Sequence, residues 1–289
     1  MPTTERRSLL TRARGVARRA ARTVRTRLRG KPPAPDSLAA LRRRLIAEGA
    51  SPNPSRPGDA WRPWVNRALR TSAEADAALA ELRRCGLPAH NDRPKNWDLL
   101  VAIGSILATT RPTDPVLEMG APRYARLLPC LALLGYRDLR GIDLTHGAPL
   151  RTGPILYEQM DLTATTFPDA SFGAIACLSV VEHGVGVDAY LREAARLLRP
   201  GGLLVTSTDF WCEPVPTEGL EAYGGPVRIF GPADIAGWVE RAAPLGLRPV
   251  RDLDLACDER VVTWARFGLQ YTFVTLVLQR EPAPAASPA

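Results

Sequence analysis

Acidic side chains end several short apolar segments in the second half of the 289-residue chain. Glu118 and Gly120 end the segment VLEMG, Asp143 ends GID, and Asp161 follows ILYEQM. A carboxylate at such a position can accept hydrogen bonds from both hydroxyls of a ribose or pair with an ammonium group. Carboxylates around one crevice therefore favour a cationic, nucleoside-like ligand. For each acid, the alternative that it only caps a turn or helix stays open.

The position of Asp143 makes it the strongest candidate among these acids. It follows Gly120 by 23 residues, close to the separation between a glycine turn and a ribose-binding acid in nucleotide-binding sheets. We predict that Asp143 holds a ribose, that Asp161 accepts a hydrogen bond from an adenine amino group, and that Glu118 pairs with an ammonium.

These side chains meet only if their strands end at one edge of a sheet. From residue 114 onward, short apolar runs alternate with amphipathic helices, which indicates an α/β fold with a mostly parallel sheet. The helix before the fifth strand is predicted to start with Asp188 as its cap and to end at Pro200-Gly201-Gly202. The predicted strands are 116–120, 138–143, 155–160, 173–179, 203–208, 248–255 and 271–279.

The chain divides into four predicted segments. Residues 1–35 form a basic tail, partly disordered or amphipathic, because residues 1–31 carry a net charge of +10 and leave the rest near −2. Such a tail can contact nucleic acid or an anionic membrane, although a solvated tail without a partner is favoured. Residues 36–113 have helical periodicity, residues 114–280 form the sheet domain, and residues 281–289 are expected to be disordered.

Cysteine usage and hydropathy exclude some protein classes. The five cysteines are scattered and form no CxxC pair, which argues against a disulfide framework or a cysteine zinc site. The longest apolar stretch, residues 99–108, is too short to span a bilayer, and the N-terminus lacks the apolar core of a secretion signal. We therefore expect a soluble protein in the reducing cytoplasm.

Several segments occur in an order that resembles the class I S-adenosylmethionine-dependent methyltransferases, whose fold is a Rossmann-like, seven-stranded sheet with flanking helices. They are VLEMG, GIDL, the pair Asp161-Leu162, FPDASFGAIACLSVVEH and LREAARLLRPGGLLVTS. The resemblance implies S-adenosylmethionine as cofactor, with its methionine part at Glu118 and Gly120, its ribose at Asp143 and its adenine at Asp161. The full set of expected cofactor-binding residues is Glu118, Gly120, Ala121, Arg123, Asp143, Leu144, Asp161, Leu162 and Ser179.

The first loop departs from the family pattern of three alternating glycines. Pro122 and Tyr124 occupy the second and third glycine positions, and Gly120 alone is retained. Glycines there let the backbone approach a pyrophosphate, which S-adenosylmethionine does not have. We therefore interpret the loop as a variant cradle, in which Arg123 compensates for the amide lost at Pro122 by contacting the methionine carboxylate.

The expected activity is methyl transfer to a small molecule, with a hydroxyl of a natural product or sugar as the favoured acceptor. His183 is the candidate base for that hydroxyl, with a structural role as the alternative. Ser179 replaces the first glutamate of a metal-binding E-x-x-E-H pattern, so no metal is expected. Trp211, Tyr223 and Phe230 are candidate pocket walls, or they only pack the segment after the fifth strand.

Two other functional classes remain open at this stage. A ribose-binding acid also suits an NAD-dependent oxidoreductase, although the GxGxxG loop and an obvious hydride-transfer set are missing. A degenerate methyltransferase fold without enzymatic activity, acting as a scaffold through the arginine-rich tail, is the other alternative.

Overall fold

A computed structural model describes residues 37–282 of the chain. The predictions for the basic tail and for the C-terminal residues 283–289 lie outside the described residues. The α-helices are α1 Leu38–Ala47, α2 Ser72–Arg84, α3 Lys95–Thr109, α4 Leu127–Leu133, α5 Val187–Leu197 and α6 Pro232–Ala242. Short 3-10 helices occupy Asp59–Trp64 and Ala243–Leu245.

The strands of residues 37–282 form a nine-stranded sheet and a separate two-stranded hairpin. The strands are β1 Val116–Met119, β2 Leu139–Ile142, β3 Leu150–Thr152, β4 Ile155–Glu158, β5 Phe172–Leu178, β6 Leu198–Phe210, β7 Glu221–Ala222, β8 Gly225–Pro226, β9 Leu247–Pro249, β10 Val262–Trp264 and β11 Leu269–Arg280. The main sheet has the order β10-β11-β6-β5-β1-β2-β4-β3, with β9 paired to β11. Strands β4, β2, β1, β5 and β6 are parallel, while β11 runs antiparallel to β6.

This topology confirms the predicted α/β class with a mostly parallel sheet and flanking helices. Each of the seven predicted strand segments contains a strand, but their lengths differ from the prediction. The sixth is only Leu247–Pro249, whereas the fifth begins five residues early at Leu198. The short strands β3, β7, β8 and β10 were not predicted, because two or three residues in a hairpin carry too little apolar periodicity to be recognised.

Helix α5 corrects two details of the prediction. Its N-cap is Gly186, and Asp188 lies in the first turn, where its carboxylate is 3.0 Å from Arg241 Nε instead of capping the helix. The helix ends at Leu197, before the Pro-Gly-Gly segment, because Leu198 already pairs with Phe172 of β5. Sheet pairing therefore overrides the local stop signal.

The helical N-terminal region packs against the sheet through α3. Within this helix, buried residues run without a break from Asn96 to Ile106, so it is enclosed on all sides rather than amphipathic. Helix α1 starts at a Ser37 cap, and α2 starts at a Thr71 cap, as expected for such side chains. None of the helices in residues 37–282 is long and apolar enough to cross a membrane.

The segment between the first 3-10 helix and α2 is fastened to the sheet by Asn66. This side chain is fully buried in the left-handed backbone region, with φ of 58°. Its amide nitrogen donates to the carbonyl of Arg251 at 2.7 Å, and its oxygen accepts from the backbone N–H of Val277 at 2.5 Å. One side chain thus joins the N-terminal region, β11 and the loop after β9.

The prediction that the cysteines do not pair is wrong for two of them. Cys212 and Cys257 form a disulfide with their Cα atoms 5.9 Å apart. Cys212 follows β6, and Cys257 precedes β10, whose partner β11 runs antiparallel to β6. The sheet therefore brings together residues 45 positions apart, which sequence spacing could not reveal. Cys85, Cys130 and Cys177 are buried and unpaired.

We predict that Asn66→Ala lowers the free energy of unfolding by about 2–4 kcal/mol, because it leaves two buried backbone groups without partners and strains a positive φ. Urea unfolding followed by circular dichroism measures the change. The exposed Asn53→Ala variant is the control, with an expected change within about 0.5 kcal/mol. Equal stability of the two variants would contradict the fastening role of Asn66.

Candidate active site

The predicted ligand-binding residues of β1 and β2 lie side by side at the carboxyl edge of the sheet. In the parallel register, Glu118 pairs with Gly141 and Met119 pairs with Ile142. Gly120 and Asp143 are the next residues of the two strands, so the register alone places them together. The Ala121 N–H donates to the Ile142 carbonyl at 2.9 Å and joins the two loops.

Glu118 lies inside the protein with one carboxylate oxygen unsatisfied. Its side chain is 4% exposed, and Oε2 has no hydrogen-bond partner within residues 37–282. Burial raises the pKa of this carboxyl to about 8, and the nearby charge of Asp98 adds to the shift. A buried acceptor without a donor is unfavourable unless a ligand or water supplies one.

Gly120 is required by both the turn and the packing around it. Its φ is +68°, and a Cβ there would lie 2.4 Å from Cγ2 of Val180, in the loop after β5. A side chain is therefore excluded. The rest of the loop is held differently from a glycine-rich cradle: His146 Nε2 lies 2.9 Å from the Ala121 carbonyl oxygen. His146 lies in the loop after β2 and is buried.

Asp143 and Asp161 have the same local geometry. Asp143 Oδ1 accepts from the backbone N–H and the hydroxyl of Thr145, at 2.7 and 2.5 Å. Asp161 Oδ1 accepts from the same two groups of Thr163, at 2.8 and 2.7 Å. One oxygen of each acid thus stabilises a turn, which is the alternative role left open for these acids. The other oxygen of each acid has no partner among the described residues.

The other predicted cofactor-binding residues differ in burial and in hydrogen bonding. Ser179 has a φ of +53° and donates its backbone N–H to the Ser207 carbonyl at 3.1 Å, while its Oγ is buried and has no partner among the described residues. Ala121 and Leu162 are buried, whereas Leu144 is exposed. Arg123 is also exposed and makes no ion pair with a described residue, so its contact with a ligand stays a prediction.

Beside this edge lies a charged cluster that the sequence analysis missed. Asp98 of α3, Glu182 after β5 and Asp209 of β6 are all at most 3% exposed. The Ser207 hydroxyl donates to Asp98 Oδ2 at 2.6 Å, and the Thr208 hydroxyl donates to Glu182 Oε2 at 3.0 Å. The detectable signal was the Lys-x-x-Asp pair, Lys95 and Asp98, at the start of an otherwise apolar helix.

Burial controls the protonation of this cluster. It raises the pKa of Asp98, Glu182 and Asp209 above their ordinary values, and the charge of Asp209 raises that of Glu182 further. Burial alone would lower the pKa of Lys95, but the charges of these carboxylates raise it. Lys95 therefore keeps its proton at neutral pH.

His183 lies between this cluster and a group of aromatic rings. Its ring centroid is 4.7 Å from that of Tyr223 and 6.2 Å from that of Trp264, and the last two rings are stacked at 6.5 Å. Nδ1 is buried without a partner in the described chain. Burial, and then the charge of Lys95, lower the pKa of His183 to about 4, so the imidazole is neutral at physiological pH.

The three aromatic residues proposed as pocket walls are placed differently. Tyr223 lies beside His183, is 78% exposed and has a positive φ of 53°. Trp211 lies under the Arg260 guanidinium, 4.2 Å from its ring centroid. Phe230 packs edge-on against Trp238 in the core and is only 2% exposed. Of the three, Tyr223 best fits a pocket wall, whereas Phe230 stabilises the segment after β6.

No group of three or more His, Cys, Asp or Glu side chains within residues 37–282 is arranged to hold a metal ion. His90 is half-buried and bonds its own loop, accepting at Nδ1 from the Asp92 N–H at 2.9 Å.

Part of the chain that carries this site is similar to known proteins. Residues 117–206 match the family described as a methyltransferase domain. The 27-O-demethylrifamycin SV methyltransferase of Amycolatopsis mediterranei (strain S699) is 38% identical over 82 residues, which are 28% of this chain and 29% of that protein. The present chain is therefore matched to less than a third of the length of that relative.

Solved structures with a similar chain trace are distant in sequence. The 1,6-didemethyltoxoflavin-N1-methyltransferase of Burkholderia thailandensis, with bound 1,6-didemethyltoxoflavin and S-adenosylhomocysteine, is 15% identical; the match covers 74% of this chain and 92% of that chain, with a TM-score of 0.48. The geranyl diphosphate C-methyltransferase of Streptomyces coelicolor A3(2) is 14% identical over 87% and 100% of the two chains, with a TM-score of 0.46.

The family match and the sheet order agree with each other. Residues 117–206 match a methyltransferase domain, and they include the parallel strands at the centre of the sheet. The resemblance stated from the sequence is confirmed.

The raised pKa of Glu118 predicts how stability depends on pH. The folded carboxyl keeps its proton up to about pH 8, whereas the unfolded one loses it near 4.5. The stability contributed by the protonated form is complete below the unfolded pKa and is lost as the pH rises towards the folded one. Glu118→Gln does not titrate, so its free energy of unfolding should exceed that of wild type. The difference should grow as the pH rises and reach a few kcal/mol at about pH 8.

Urea unfolding between about pH 5 and about pH 9 tests this prediction. The control is Glu213→Gln, which changes an exposed side chain and should track wild type at every pH. A constant difference between Glu118→Gln and wild type across the range would show that Glu118 titrates normally.

Proposed function

We propose that the protein is an S-adenosylmethionine-dependent methyltransferase acting on a small molecule, and more narrowly that it methylates a hydroxyl of a natural product or sugar. The observation that carries the proposal is the pairing of β1 with β2, which sets Glu118, Gly120 and Asp143 together and leaves one oxygen of each acid without a donor among the described residues. Such an edge suits a ligand that brings cationic and hydroxyl donors.

The residues present fit this cofactor on chemical grounds. The unsatisfied Glu118 Oε2 suits an ammonium group, and the second oxygen of Asp143 suits ribose hydroxyls while the first holds the turn. Asp161 is proposed to accept from the adenine amino group, and the adjoining Leu144, Leu162 and Ala121 to contact its apolar faces. When bound, the cofactor supplies a methyl group on a positively charged sulfur.

The loop with Pro122 and Tyr124 does not argue against this ligand. A pyrophosphate needs several backbone N–H donors at close approach. The methionine part of S-adenosylmethionine needs only an anionic partner for its ammonium group and a cationic partner for its carboxylate. We propose Glu118 as the first partner and the exposed Arg123 as the second.

His183 is the proposed proton acceptor of the acceptor hydroxyl. Its neutral ring and unsatisfied Nδ1 leave a site for one hydrogen bond inside the aromatic group formed with Tyr223 and Trp264. In the proposed step, the acceptor oxygen forms a bond to the methyl carbon as the carbon–sulfur bond breaks, with its electron pair staying on sulfur. The hydroxyl proton passes to His183 and then to solvent. Alignment and exclusion of water do the remaining work.

A small-molecule acceptor is favoured over nucleic acid because positive charge is concentrated in residues 1–31, while the rest of the chain is near neutral. Contact of that tail with nucleic acid or an anionic membrane is kept as a secondary proposal. Deleting residues 1–31 and measuring the salt dependence of binding to RNA or anionic vesicles separates a functional tail from an incidental one.

Substitutions of Asp143 test cofactor binding. We expect Asp143→Ala to weaken S-adenosylhomocysteine binding by about 10- to 100-fold, because it removes hydrogen bonds from a charged acceptor. Asp143→Asn keeps an acceptor for Thr145 and should lose only part of the affinity. Isothermal titration calorimetry measures both.

The matched control is Asp169→Ala, which removes an exposed acid before β5, at the opposite edge of the sheet, and should bind normally. NADH is titrated in parallel. Binding of NADH but not of the sulfur nucleoside, or unchanged affinity in Asp143→Ala, would overturn the proposed function.

The low pKa of His183 predicts the pH dependence of turnover. With an acceptor that is methylated, kcat should stay level through the neutral range and fall only as the pH approaches about 4, where the imidazole takes up a proton. His183→Ala should bind S-adenosylhomocysteine normally but lose about 100-fold or more in kcat. Full turnover by His183→Ala would exclude the base role.

A further inference from the structure

Lys95 has an ammonium group with no partner inside the described protein. It is the first residue of α3 and is half-buried, and its side chain lies over Phe273 of β11. No acceptor in residues 37–282 lies within hydrogen-bond or ion-pair distance of Nζ; its recorded contact is the Phe273 ring, whose centroid is 5.2 Å away. A largely enclosed ammonium with unused N–H donors calls for an oxygen ligand.

The acids around Lys95 are engaged with other donors. Asp98 accepts from the Ser207 hydroxyl and from the Leu99 N–H, and Glu182 accepts from the Thr208 hydroxyl. Asp209 interacts with Tyr271 of β11 and with Glu182. Their charges hold Lys95 in its protonated form without taking up its hydrogen bonds. Asp92, in the loop before α3, is the remaining acid that acts on it.

Strand pairing brings His183 and its neighbouring rings into the region of Lys95. Phe273, which Lys95 covers, pairs with Asp209 of β6, and the adjacent Thr208 hydroxyl donates to Glu182, the residue before His183. Tyr124 lies in the loop that follows β1, next to the predicted cofactor edge. Tyr124 is 65% exposed, and the Tyr223 and Trp264 rings lie within 29° of parallel.

We propose that Lys95 binds the methyl acceptor by donating a hydrogen bond to its reacting oxygen, and that the acceptor is a ring-bearing phenol or enol rather than an aliphatic alcohol or sugar. This inference rests on the proposed function and narrows its substrate. Planar rings suit the faces of Tyr223 and Trp264, and an oxygen that takes on negative charge suits the ammonium.

The weakness of His183 as a base supports the same substrate class. An imidazole with a lowered pKa is a weaker base, so a more acidic hydroxyl suits it better than an aliphatic one. A phenol or enol gives up its proton far more readily, and a neighbouring ammonium lowers the pKa of such a group by about 1–3 units. Lys95 and His183 then act on the same oxygen: one stabilises the charge, and the other accepts the proton during methyl transfer.

Para-nitrophenol is a direct probe, since its anion absorbs visible light. With S-adenosylhomocysteine present, we expect wild type to bind it with an apparent pKa about 1–3 units below that of the free phenol. Lys95→Met should abolish the shift, and Lys95→Arg should retain most of it because the positive charge stays. The matched control is Arg93→Met. Arg93 lies two residues before Lys95 and pairs with Asp76, so its replacement should leave the pKa of the bound nitrophenol as in wild type.

Methyl transfer from labelled S-adenosylmethionine gives the second readout, with naphthol compared with naphthylmethanol. Naphthol should be methylated, naphthylmethanol should not, and Lys95→Met should lose about 10- to 100-fold in kcat on naphthol. Nucleoside binding by Lys95→Met, measured by calorimetry, shows whether the variant is folded.

The outcomes separate the two proposals. If S-adenosylhomocysteine binds but neither phenol binds, or if the bound nitrophenol has its solution pKa, the Lys95 inference fails while the methyltransferase proposal stands. Preferential methylation of naphthylmethanol or of sugars also overturns the inference. If S-adenosylhomocysteine itself does not bind to wild type, the proposed function fails first.

Discussion

The rest of this structure depends on one constraint. Polar groups are held at the carboxyl edge of the parallel sheet, where they lack partners among the described residues. Strand register forces the ends of β1, β2, β5 and β6 together, and the residues found there are acids, hydroxyls and one glycine. Glu118 Oε2 and Ser179 Oγ are buried without hydrogen-bond partners among the described residues. If no water or ligand reached them, each would lower the free energy of unfolding, because burial removes its hydration without replacing it. Packing elsewhere, above all around the buried helix α3, offsets this cost.

The sequence predicted the parts of this edge that obey local rules. Apolar runs located the parallel strands, and an acid after each strand located Glu118, Asp143 and Asp161, because strand ends in a parallel sheet share one edge. What it missed depends on contacts distant along the chain. Lys95 reaches the edge from a helix before the domain, and the pairing of Cys212 with Cys257 depends on β11 lying beside β6.

The first loop shows how one retained glycine can be enough. At Gly120 the backbone has a positive φ and the side chain of Val180 fills the space of a Cβ, so geometry and packing both exclude any other residue. Pro122 and Tyr124 lie past that crowded point, where His146 holds the loop through the Ala121 carbonyl. The loop is thus stiffer than a glycine-rich one. At the third glycine position, Tyr124 also supplies a side chain that glycine would lack.

The walls that would choose a substrate lie mostly outside the segment matched by the methyltransferase family. Residues 117–206 contain the predicted cofactor edge and His183, whereas Lys95 precedes them and Tyr223 and Trp264 follow. The disulfide joins Cys212, two residues after β6, to the loop before β10, the strand that presents Trp264. Because these elements lie outside the matched segment, a relative's acceptor cannot be transferred along with its fold. The chemistry of the half-buried ammonium, the weak imidazole and the stacked rings is therefore the better guide to the acceptor.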